Sequence, residues 1–173
     1  MSTPTYDLIS SYTVPSYVSS YSVFLNTSLG YKDIKIVMKI RHAAAGAQTT
    51  VMQAFYGFNE SSYSKDYVYM GSAGNSSPVY DRQTSQQYIR IPDIISDGYS
   101  PSTEHSLVEL DLISYADATR KKNFIWRKTD GESTILGAAK QAFVQPSNHY
   151  LSFNFPSGGF IAGSTFDIYG IVG

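Results

Sequence analysis

Apolar and polar residues alternate along much of this chain with a period of two. In Asp33-Ile34-Lys35-Ile36-Val37-Met38-Lys39-Ile40-Arg41, the residues Ile34, Ile36, Met38 and Ile40 fall on one side. Asp33, Lys35, Lys39 and Arg41 fall on the other, with Val37 the exception. A helix would scatter the four apolar residues around its axis, whereas an extended chain lines them up, so 33–41 is predicted to be a half-buried strand. The same reasoning predicts strands over Tyr6–Val14 and Ser19–Asn26, separated at Pro15-Ser16, and over Val51–Phe58. Tyr67–Gly71 and Tyr88–Pro92 read as short strands, and Phe124-Ile125-Trp126 as the centre of another. In Leu107–Tyr115, Val108, Leu110 and Leu112 are expected to face inward, with Glu109 and Asp111 outward. Ala138–Val144 alternates weakly, and His149–Phe155 strictly. In Ser164–Val172, Phe166 and Ile168 oppose Thr165, Asp167 and Tyr169, and nothing guards the segment against pairing on both sides, so an interior strand is expected.

Clusters of Ser, Gly, Pro, Asn and Asp punctuate these segments at Gly71–Pro78, Ser96–Thr103, Thr129–Ser133 and Pro156–Gly159. The polar stretches Gly74–Gln87 and Asp93–His105 are expected to be surface loops, a common place for recognition. Strands at roughly 10–15-residue spacing, with no helical period between them, predict an all-β fold. The specific expectation is a single-domain antiparallel β-sandwich, jelly-roll-like, over residues 1–173.

Composition narrows the function. Charged residues make up 16% of the chain and the net charge is −1, so there is no electrostatic footprint for nucleic acid. The densest basic cluster, Arg120-Lys121-Lys122 with Arg127 and Lys128, is diluted by Asp117, Asp130 and Glu132 and reads as a solvated hairpin. There is no cysteine, which removes disulfides, thiolate metal sites and thiol nucleophiles. The opening residues lack the basic and apolar regions of a secretory leader, and no apolar run reaches the ~20 residues of a membrane-spanning helix. The expectation is a chain made in a cytoplasm, with no membrane partner.

Catalytic chemistry finds little support. The three histidines, His42, His105 and His149, have no second ligand at a spacing that shares a face, so no metal or other cofactor is expected. No nucleophile elbow or glycine-rich phosphate loop occurs. Glu104, Glu109, Asp111 and Glu132 could pair for glycoside hydrolysis, but Glu109 and Asp111 read more naturally as the wet face of a strand. No enzyme is expected. The sequons at Asn26, Asn59 and Asn75 read as chance products of Ser/Asn-rich turns.

Tyrosine is the informative excess: fifteen, against nine Phe and one Trp. Tyr63, Tyr67, Tyr69 and Tyr80 bracket one polar stretch and Tyr99 sits in the next. Tyrosine supplies rigid, amphipathic contact area at interfaces, so these five are the candidate partner contacts.

Two ends of the chain resemble a tailed-bacteriophage virion family. The first end contributes Tyr6-Asp7-Leu8-Ile9, Ser22-Val23-Phe24 and Gly30-Tyr31-Lys32-Asp33-Ile34-Lys35-Ile36 with Arg41. The last contributes Phe160-Ile161-Ala162-Gly163-Ser164-Thr165-Phe166-Asp167-Ile168-Tyr169-Gly170-Ile171. Phe55-Tyr56-Gly57-Phe58-Asn59 with Ser62-Tyr63-Ser64 is similar to a further stretch, with Gly57 and Asn59 transposed. The resemblance implies a jelly-roll virion structural protein without catalytic residues. The leading expectation is a capsid decoration (cement) protein, a trimer bound to the major capsid protein outside the shell. The alternative is a tail-fibre or receptor-binding domain whose tyrosine-rich loops grip a host glycan.

Overall fold

The computed structural model describes residues 5–25, 30–43, 49–57, 65–73, 78–95, 104–130, 133–141 and 149–172. These form twelve strands: β1 (Thr5–Thr13), β2 (Ser20–Leu25), β3 (Asp33–Ile40), β4 (Thr49–Gly57), β5 (Lys65–Ala73), β6 (Pro78–Gln86), β7 (Ile89–Ile95), β8 (Ser106–Ile113), β9 (Asn123–Thr129), β10 (Ser133–Gln141), β11 (His149–Asn154) and β12 (Thr165–Val172). They make two antiparallel sheets, one of eight strands in the order β1-β12-β3-β8-β9-β10-β5-β6 and one of four in the order β2-β11-β4-β7.

The winding is that of a jelly roll. The pairs β1/β12, β2/β11, β3/β8 and β4/β7 are those one long antiparallel hairpin would make. Rolling that hairpin sends successive pairs to opposite sheets, giving β1-β12-β3-β8 and β2-β11-β4-β7. Two further hairpins are inserted in the chain, β5–β6 between β4 and β7 and β9–β10 between β8 and β11. Both extend the same sheet beyond β8, as β9-β10-β5-β6, and form a four-stranded wing.

The alternation read from the sequence fills the space between the sheets. Ile34, Ile36 and Met38 of β3, Val108, Leu110 and Leu112 of β8, and Phe166 and Ile168 of β12 are wholly buried. Leu151 and Phe153 of β11, Met52 and Ala54 of β4, and Ile89 and Ile91 of β7 belong to the same core. Phe166 lies at an aromatic centre, with ring centroids 4.2 Å from Tyr21, 5.0 Å from Phe160 and 6.0 Å from Phe153. β12 pairs with β1 on one side and β3 on the other, as its unguarded sequence implied.

Five local expectations are corrected. The stretch within Gly74–Gln87 read as a loop contains β6, which pairs with β5 alone. An edge strand with one partner has no need of the apolar alternation that marks an interior one. β10 begins at Ser133, five residues before the predicted start, because Gly137 interrupts its pattern; the Trp126 ring lies over that glycine and leaves no space for a Cβ. Lys122 is buried, not solvated: its Nζ donates to the main-chain carbonyls of Ser114 (2.7 Å) and Asp117. Those carbonyls belong to the turn after β8, where Ser114 has a positive φ of 59° and donates its N–H to the Asp33 carboxylate at 2.6 Å. Arg41 is also buried, because β3 ends at Ile40 and the chain then bridges to Phe160, ending the alternation. The loop expected over Asp93–His105 starts later than predicted, since β7 runs to Ile95; residues 96–103 and the sequons at Asn26, Asn59 and Asn75 lie outside the described residues.

Candidate interaction surface

The wing has two faces, and the residues of each decide which is structural. Inward, β9 presents Phe124, Trp126 and Lys128, and β10 presents Ser133, Ile135, Ala139 and Gln141. Lys128 and Asp130 form a buried ion pair at the β9–β10 turn, where Lys128 also donates to Ser133. Tyr69 of β5 packs on Trp126 with ring centroids 5.9 Å apart.

Outward, the wing is apolar where a solvated sheet would be polar. Tyr80, Met70, Leu136 and Ile125 are 64%, 60%, 55% and 51% exposed. The strand register sets them in rows. Ile125 of β9 faces Ala138 of β10, which faces Val68 of β5, which faces Arg82 of β6. Beside this row run Arg127, Leu136, Met70 and Tyr80. Ala138 is the smallest side chain of the first row, and a groove of about 510 Å³ opens over it, lined by Val68, Tyr80, Arg82, Ile125 and Lys140 among others.

Charges collect where the wing joins the jelly roll. Glu109 of β8 accepts from Lys35 at 2.9 Å and from Arg127 at 2.7 Å. The Arg127 guanidinium, then Lys35, holds its carboxyl below the usual range. Burial alone would lower Lys35, but Glu109 and Asp111 outweigh it and keep the ammonium above its ordinary value. Asp111 contacts Lys35 at 3.5 Å, and its side chain remains 40% exposed.

Of the five predicted contact residues, Tyr80 lies on this face. Tyr69 is turned inward against Trp126, because residues alternate along β5 and its exposed place is taken by Met70. Tyr67 holds a position on β5 opposite Ala139 and Gln83. Tyr63 and Tyr99 lie outside the described residues. Tyrosine counting missed Met70, Ile125 and Leu136. A signal for one of them was present: three consecutive apolar residues, Phe124-Ile125-Trp126, put an apolar side chain on both faces of a strand.

A smaller aromatic pair, Phe24 and Tyr150, stands on the outside of the four-stranded sheet with centroids 5.2 Å apart. The histidines do not converge. His42 is buried at the end of β3, His105 precedes β8 and His149 opens β11. Among the described residues no group of three or more His, Asp or Glu is arranged to hold a metal ion. No protein-family model, curated protein or solved structure matches the chain.

Proposed function

We propose that this chain is a bacteriophage virion structural protein, a capsid decoration protein that works by binding protein surfaces and carries out no chemistry. One observation supports the reading above the others. A jelly roll with a closed core bears a four-stranded extension whose outer face exposes Met70, Tyr80, Leu136 and Ile125. Contiguous apolar exposure of this kind marks an interaction site on a soluble protein. The resemblance of the two chain ends to tailed-phage virion proteins supplies the setting. A decoration protein that binds the assembled shell and not its free subunits stabilises the assembled state by mass action.

The groove on the wing favours a second reading. Tyr80, Arg82 and Lys140 around an aliphatic floor offer the ring face and hydrogen-bond donors that a glycan-binding tail domain needs. Quantitative mass spectrometry of purified virions separates the two. Hundreds of copies, in fixed ratio to the major capsid protein, are expected for decoration, and a handful for a tail domain. Absence from the particle contradicts both.

A further inference from the structure

We infer that the outer face of the wing docks on the same face of a second copy of this chain, across a two-fold axis. The inference deepens the virion reading by naming the occupant of the exposed face on which that reading rests, and it follows from the order of side chains along one row. In the register of β8, β9, β10, β5 and β6, the row is Asp111, Ile125, Ala138, Val68, Arg82. It runs acid, apolar, small, apolar, base, and it matches its own reverse.

A two-fold axis parallel to the strands, lying over β10 midway between the two facing sheets, sets the row against its own reverse. Ala138 then meets the second copy's Ala138 once, on the axis, while Ile125 meets Val68 and Asp111 meets Arg82, each of these contacts made twice. The neighbouring row, Glu109, Arg127, Leu136, Met70, Tyr80, follows the same operation. Leu136 meets its own copy, the aliphatic stem of Arg127 covers Met70, and the Tyr80 hydroxyl donates to Glu109. Glu109 has room for that donor, because a carboxylate accepts about four hydrogen bonds and its two partners occupy fewer.

Three features favour a copy of the chain over an unrelated partner. The cation of the row, Arg82 of β6, lies at the opposite margin from Asp111 of β8, so the row carries both halves of its own charge pattern. Asp111 is held only loosely by Lys35 and stays exposed, leaving acceptor sites for an incoming guanidinium. The exposed apolar side chains lie between the two charged margins, where an interface excludes water. Stacked sheets sit about 10 Å apart with their side chains interleaved, and the dip over Ala138 admits the flanking Ile125 and Val68. A face that matches its own reverse closes as a pair, not as a three-fold ring.

Sedimentation velocity on the full chain over a range of concentrations tests this. The wild type is expected to pass from monomer to dimer, and Leu136→Asp to remain monomeric, since the two-fold sets the new carboxylates against each other. Asp111→Arg and Arg82→Asp should each weaken the dimer by roughly tenfold or more, from like charges facing across the interface. The double variant should recover to within a few-fold of wild type. That recovery is specific to two residues that meet across the axis: any local disturbance beside Lys35 occurs equally in the single and double variants. A wild type that stays monomeric or forms a trimer would overturn the inference. So would a dimer indifferent to Leu136→Asp, or charge effects that simply add in the double variant.

Discussion

Phe166 and Asp167 are neighbours with opposite duties, and period-two alternation alone assigns them. Phe166 is fully buried among Tyr21, Phe153 and Phe160, whereas Asp167 accepts a hydrogen bond from the Ser11 hydroxyl at 2.6 Å at the surface. Phe166→Ala should cost about 3–5 kcal/mol, from lost transfer energy and the cavity left in a close-packed core. Asp167→Ala, which removes one exposed hydrogen bond, should cost no more than about 1 kcal/mol. Urea denaturation of both variants checks the order, and a reversed order would contradict the face assigned to β12. Other residues were illegible for a physical reason. Lysines at surface-like positions gave no sign that Lys122 and Lys128 are buried, because what draws them in is a set of turn carbonyls, a hydroxyl and a carboxylate placed by tertiary structure.

His42 adds a pH dependence at the same scale. Its ring packs at a tilt on Phe155, with centroids 4.4 Å apart, Nε2 donates to the Ser157 carbonyl at 2.6 Å, and Nδ1 is buried without a partner. Gly158, at φ 79°, passes so close that a Cβ there would collide with the imidazole. Burial, opposed only in part by the Ser157 carbonyl, lowers the histidine's pKa below its ordinary value. The folded state therefore prefers the neutral ring, and the unfolded chain takes up a proton first. The stabilisation is complete above the unfolded value of about 6.5 and is lost as pH falls from there toward the folded value. Between pH 6.5 and 5, His42→Asn should flatten the stability profile, by at most about 1.4 kcal/mol per pH unit, the slope of a single proton. Denaturation midpoints across that range would show it, and a parallel profile would contradict it.

At the scale of elements, strands buried on one face and paired on both sides were legible, and the wing was only partly so. β3, β8, β11 and β12 announce themselves because each needs an apolar row toward the core. β6 does not, since an edge strand with a single partner is constrained by main-chain pairing that no side-chain pattern records. The candidate surface fell into the same gap. Met70, Ile125 and Leu136 face outward from strands whose inner sides carry Tyr69, Trp126 and Ile135, and the residue pattern of these segments assigns none of the three a face. The topology makes a kinetic prediction. Amide hydrogens of β3 and β12, paired on both sides over the central core, should exchange slowest, and those of β6 fastest among the strands of the large sheet. Hydrogen exchange read by mass spectrometry on peptic fragments decides it. Slow exchange in β6 of dilute, monomeric protein would contradict the edge assignment.

Taken whole, the molecule is a rolled hairpin that closes its own core and adds a sheet extension whose outer face the core does not require. The alternating segments and polar punctuation gave the sandwich class. The jelly-roll-like winding expected from the strand spacing and the resemblance is the one observed, although its individual pairs, such as β1 with β12 or β2 with β11, are contacts between chain ends that no local pattern encodes. The proposed role gives the extension a purpose: an exposed apolar surface is retained where a larger assembly covers it. The most direct test is thermal disassembly of capsid shells that lack this chain, with and without the purified protein added back. Binding is expected to saturate in fixed ratio to the major capsid protein and to raise the disassembly temperature of the decorated shell. Shells that bind none of it, or bind it with no change in disassembly temperature, would contradict the decoration claim.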